Sequence, residues 1–196
     1  MVTASRHDGF SLIEVLLVVA IIAIIAGISV PLIGNTIGNF RLNGDARALS
    51  NTVSLARMQA ASNFARTRLY VDLNTGVYHT EIKVGAAPWT PRGTVMYLTT
   101  NDSFNFGPVT APPPNPQATI AQASACLDAA SQPIANTACF VFNSRGIPVD
   151  STLAPTGAYA LYVTDGTSVC AITASATGVI RLWRTGAIAT PLWVRQ

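Results

Sequence analysis

The chain has 196 residues, 12 Lys and Arg against 9 Asp and Glu, and a formal net charge of +3. That length fits one ordinary domain with an appendage, and so small a basic excess gives no electrostatic ground for a nucleic-acid-binding protein. Charged residues make up 11%, less than half of the ~25% usual in soluble proteins, and much of the shortfall lies near the N-terminus.

From Val15 to Val30 only Ser29 is polar. As a helix rising ~1.5 Å per residue, the run from Phe10 to Ile33 reaches across the roughly 30 Å hydrocarbon core of a bilayer. A removed secretory signal fits poorly, because the run is too long and is followed by Pro31, Gly34 and Asn35 instead of an A-x-A-like site. An uncleaved anchor explains the length but leaves Glu14 unexplained. An acid at the centre of a membrane helix costs about 2.5–3.5 kcal/mol, less toward the ends, where a side chain can reach the interface.

Gly9-Phe10-Ser11-Leu12-Ile13-Glu14, followed by the unbroken apolar run, resembles the processing site of type IV pilins and type II secretion pseudopilins. The resemblance implies that prepilin peptidase cuts on the cytoplasmic side after Gly9 and N-methylates Phe10. Residues 1–9 are then a cleaved leader, and residues 10–33 stay as the transmembrane and assembly helix. It also implies a partner for Glu14, the freed amine of Phe10 in a neighbouring subunit. Amine and carboxylate attract strongly in a low dielectric while each alone is costly, so the pair sets the register of stacking. The implied partners are other pilin subunits through the N-terminal helix, the peptidase and the inner-membrane assembly machinery. The implied location is single-pass in the inner membrane before assembly and an extracytoplasmic filament after it. Charge alone does not decide the orientation, since Arg6 precedes the run while Arg41 and Arg47 follow it. Loss of the leader removes Arg6 and Asp8 and leaves the net charge unchanged.

Pro31 lacks an amide donor and crowds the preceding turn; the resemblance places a helix bend or a melted stretch there, between Gly27 and Gly34. Beyond it Leu42, Ala46, Leu49, Val53, Ala56 and Ala60 recur at steps of four and three. They line one helical face, with Arg41, Arg47, Asn51, Ser54 and Arg57 mainly elsewhere. The spacing predicts an amphipathic helix over 34–64, continuing one long helix from Phe10 to about Asn63, with a stripe of small aliphatic residues suited to a sheet. After residue 65 the period falls to two. Residues 68–73 and 77–84 flank Asn74-Thr75-Gly76 as a hairpin, and strands follow at 94–99, 139–143, 158–164, 169–174 and 179–183. The predicted fold class is α+β and pilin-like, a long N-terminal helix packed against a mainly antiparallel sheet, with 65–196 as the β-rich domain.

Residues 107–139 interrupt the strands. Pro112, Pro113, Pro114 and Pro116 cannot pair in a central strand and no apolar period persists, which predicts an extended, solvated surface insertion. Cys126 and Cys139 bracket its second half, and a bridge between them would add about 3 kcal/mol in the chain-entropy model. That pairing is preferred in an extracytoplasmic domain. A Cys139–Cys170 bridge would tie two strands together, and the sequence leaves both open. There is no C-x-x-C, and His79, expected at the surface of a hairpin strand, is the one histidine left after processing, so no metal site is expected. The acids stand singly and no phosphate-binding glycine loop appears. No catalytic residue or cofactor is indicated, and the chain does not read as an enzyme.

"FVFNSRGIP" at 140–148 and "ITASATGVIRLWR" at 172–184 resemble the C-terminal half of the GspH/FimT group of minor pilins and pseudopilins. In that group a Gly-Arg-x-Arg motif opens the last strand. Here the matching residues are Gly178, Val179, Ile180 and Arg181, so the first arginine is missing. The resemblance implies a minor pilin or pseudopilin, a structural subunit of a type IV pilus or type II secretion filament. A major pilin is one alternative. Another is a DNA-binding minor pilin in which Arg181, Arg184 and Arg195 contact phosphates and Trp183 and Trp193 stack on bases. The plainer placement has the arginines solvated and Trp183 in the core.

Overall fold

The computed structural model describes the backbone of residues 11–196 and the side chains of that range outside 29–36. It divides into two compact units, Met1–Gly38 and Asn39–Gln196. Helix α1 (Leu12–Ser62) begins in the first and ends in the second. Its backbone is helical from Gly27 to Gly34. At its far end α1 closes on Phe64, which takes a left-handed φ of 48°, while the Ala65 amide reaches back to the Ala60 carbonyl at 3.2 Å and satisfies one of the orphan acceptors of the last turn.

Within the second unit the four-three spacing has a direct consequence: Leu42, Ala46, Leu49, Val53, Ala56 and Ala60 are all 0% exposed. They pack on two antiparallel sheets where the sequence suggests one. The first sheet is formed by β1 (Arg66–Asp72), β2 (Val77–Lys83), β3 (Thr90–Tyr97) and β4 (Thr137–Phe142) in the order β3-β2-β1-β4. The second is formed by β5 (Tyr159–Thr164), β6 (Ser168–Ala174), β7 (Ile180–Gly186) and β8 (Val194–Arg195), in chain order. Strand β8 was not anticipated, because two residues carry no period. Alternation does the rest: Leu69, Val71, Phe140 and Phe142 from the first sheet and Leu161, Val163, Cys170 and Ile172 from the second share one core with the helix stripe. Between β1 and β2, Gly76 supplies a φ of 72°, and the Asp72 side chain accepts the Asn74 and Thr75 amides at 2.9 and 3.1 Å, as an Asx turn does.

The insertion corrects its prediction. It lacks regular strands but is not merely solvated. Val109, with Phe106 and Ile120 beside it, covers the back face of the second sheet at Ala160, Tyr162, Val169, Ala171 and Trp183. Its backbone then pairs with the outer edge of β4, where the Cys139 amide donates to the Ser124 carbonyl at 2.9 Å. Gln122 does the same for β5 with its side chain. Its Nε2 donates to the Tyr162 carbonyl at 3.0 Å and its Oε1 accepts the Tyr162 amide at 2.9 Å. Cys126 and Cys139 form a disulfide that fastens the insertion to β4, and Cys170 is a free buried thiol that burial pushes up to about 11.

Candidate functional site

Gly9 and Phe10 lie outside the described residues. The first described feature of the N-terminal segment is the Ser11 carbonyl, which accepts the Glu14 and Val15 amides at 3.0 and 3.2 Å and opens α1. Glu14 stands in the first turn, where the helix dipole favours an anion. Every described side chain from Ser11 to Ile28 is exposed, among them Leu12 at 82% and Leu16 at 63%. A helix apolar on every side belongs inside a larger apolar body, whether protein or lipid. Among the described residues no helix is long and apolar enough to cross a membrane; the described side chains of this run stop at Ile28.

Arg181 and Arg184 are not brought together. On β7, Ile180, Leu182 and Arg184 point one way and Arg181, Trp183 and Thr185 the other, as alternation requires. Ile180 and Leu182 pack toward the helix. Arg184 on that side is half-buried, with Nη2 donating to Asn39 Oδ1 at 2.6 Å and Ser168 Oγ at 3.1 Å, and Nη1 to Asn43 Oδ1 at 3.4 Å. It therefore clamps β6 and β7 to α1. Arg181 is exposed on the opposite face. Trp183 is in the second core and donates to Thr173 Oγ1 at 3.0 Å. Trp193 packs against that core and donates to the Ala111 carbonyl at 3.0 Å. Neither indole is a free stacking platform; Arg195 is exposed on β8.

Two further contacts hold α1 to the sheets, and the sequence reading missed both. The Arg57 Nε donates to the Gly146 carbonyl at 3.2 Å. Gly146 and Gly178 have φ of 72° and 80°, and a Cβ on Gly178 would stand 2.8 Å from Arg57 Nε and 2.9 Å from the Gly146 oxygen. The two segments that resemble the GspH/FimT group thus meet at one helix arginine, and glycine is needed at Gly178 for both conformation and space. Asp45 on α1 accepts the Thr99 amide at 2.6 Å and its hydroxyl at 3.0 Å. Beside it, burial and then the Asp45 carboxylate push the Asp102 carboxyl up to about 7. His79, expected at the surface, is 14% exposed at its side chain, with Nε2 3.2 Å from Glu81 Oε1. Among the described residues no group of His, Cys, Asp or Glu could hold a metal ion.

A family model described as the prokaryotic N-terminal methylation motif matches residues 4–30, a window that contains Gly9, Phe10 and Glu14. No curated protein matches the chain. Two structures of the minor pseudopilin EpsH from the type 2 secretion system of Vibrio cholerae are similar to it at 12% identity and a TM-score of 0.45. One covers 72% of this chain and 94% of that one, the other 78% and 95%. The matched methylation motif stands at the head of a long helix that is followed by antiparallel β-sheets.

Proposed function

We propose that this chain is a minor pilin or pseudopilin, a structural subunit that waits in the inner membrane and is drawn into a type IV or type II secretion filament. The observation that carries the reading is the half of α1 that is apolar on every side, exposed throughout its described residues, and acidic only at Glu14. Such a surface has no stable place in water. Neighbouring helices supply one, provided the acid finds an opposite charge. Prepilin peptidase creates that charge by cutting after Gly9, and the methylated amine of Phe10 on one subunit meets Glu14 on the next. Pro31, with no donor of its own, is where the helix yields during stacking. The β domain is then displayed outside the inner membrane.

Intact-mass measurement of membrane-extracted protein tests the processing. The expected product lacks residues 1–9 and carries one added methyl group, and a product that starts at Met1 overturns the reading. Glu14→Gln tests the pairing. Breaking one side of a buried ion pair costs about 3–5 kcal/mol, so the variant is expected to reach the membrane at the parent level while its incorporation into filaments falls by more than about a hundredfold. Parent-level incorporation would remove Glu14 from assembly.

A further inference from the structure

The outer face of the first sheet, away from the shared core, carries a cavity of about 280 Å³. Its floor is Arg68, 4% exposed. The Arg68 Nε donates to Glu81 Oε2 at 2.5 Å and Nη1 to the Leu127 carbonyl at 2.7 Å, and the guanidinium carbon lies 4.3 Å from the centroid of the Trp89 ring. Its Nη2, with two donors, has no partner among the described residues. A guanidinium so deeply covered, with part of its fork unused, is held ready for an oxygen acceptor.

The rim repeats the pattern. Arg66 and Lys83 stand directly opposite each other across β1 and β2, and both line the cavity. Among the described residues neither has an ion pair, since the salt bridges there run from Arg68 and His79 to Glu81. Like charges directly opposed on neighbouring strands repel, and an anion between them reverses the sign of that contact. Asp128 and Asp150 also line the cavity, each with one carboxylate oxygen turned into its own loop. Asp128 Oδ1 accepts the Ala130 and Gln132 amides, each at 2.8 Å, and Asp150 Oδ1 accepts from Thr152 and Ala154. Trp89, Leu127, Val141 and Leu153 supply apolar wall, which a bare inorganic anion would leave unused.

We propose that this cavity binds a carboxylate joined to one large apolar group, the carboxylate on Arg66, Lys83 and the free edge of Arg68, the apolar group against Trp89 and Leu153. Two sources share that chemistry, the apolar C-terminal residue of a partner polypeptide and a small alkyl acid. The proposal does not rest on the assembly reading, and a failure of either leaves the other standing.

The test uses the full chain in detergent and calorimetric titration with three probes: a tetrapeptide ending in a free leucine carboxylate, the same peptide as its C-terminal amide, and isocaproate. Arg66→Gln with Lys83→Gln, at two partly exposed positions, removes the rim charge and leaves the buried Arg68–Glu81 pair in place. Melting temperature serves as the folding check. The expected result is that a free acid binds, that the amide binds at least about tenfold more weakly, and that the double variant and added salt each weaken the acid and leave the amide unmoved. Isocaproate as tight as the peptide acid assigns the site to small acids, and peptide alone assigns it to chain ends. No binding of either acid at millimolar concentration, equal binding of acid and amide, or an unchanged affinity in a folded double variant overturns the proposal.

Discussion

Asp102 couples the stability of the β domain to pH through one carboxyl group. Burial, and then the Asp45 carboxylate, raise it to about 7, and its Oδ2 is buried without a partner. The raised value means that the folded state binds this proton more tightly than the unfolded chain does. The stability contributed by the group is therefore complete below about pH 4 and is lost as pH rises through about 7. Asp102→Asn keeps the shape and offers Asp45 a permanent donor. Thermal unfolding from pH 4 to 8 is expected to show a shallower decline in the variant and a higher melting temperature than the parent at pH 8; parallel curves would contradict the assignment. Arg184 makes a second case. Truncating Arg184→Ala leaves Asn39 and Asn43 without their charged donor, and chemical denaturation is expected to show a loss of about 1.5–3 kcal/mol, against about 0.5 kcal/mol or less for the exposed Arg181→Ala. Equal effects would mean that Arg184 holds nothing. Strand alternation already puts Arg181 and Arg184 on opposite faces. What the sequence lacks is the partners, 141 and 145 residues away, which only the packed domain identifies.

At the scale of elements, legibility followed periodicity. The stripe from Leu42 to Ala60 could be read because a helix repeats every 3.6 residues, and β1 through β7 because strands alternate and glycine or Asx turns separate several of them. The insertion has neither signal. It is ordered by individual side chains, with Gln122 pairing as a strand would and the disulfide pinning the loop to β4, and such contacts leave no pattern along the chain. Arg57 was hidden for the same reason: its spacing placed it off the core stripe, and nothing in that spacing points to two glycine turns. Replacing Cys126 and Cys139 together by serine opens a loop with a sequence separation of 13. The expected cost is about 3 kcal/mol, with faster hydrogen exchange at the Ile134 amide, which donates to the Cys126 carbonyl at 2.7 Å, and at the Tyr162 amide held by Gln122. Unchanged exchange at both would show that the insertion is held without the bridge.

For the whole molecule, the chain divides within α1, and the part of the helix from Asn39 on belongs to the unit that holds the sheets. Glu14 lies in Met1–Gly38 and has no role in the core of Asn39–Gln196. Glu14→Gln is therefore expected to leave the melting of the β domain within about 0.5 kcal/mol of the parent, which separates a defect in incorporation from a defect in folding; a larger loss would assign both to one cause.

A chain proposed to polymerise along its helix is endangered by any second way of adhering to its own copies, and the rims of β-sheets are the usual one. The rim of β5 is occupied by an amide borrowed from Gln122, and that of β4 by the backbone at Ser124. On the remaining rims, β3 contains Pro91, which has no N–H to offer, and β8 has only 2 residues. Sideways zippering of one copy onto another is blunted at all four borders.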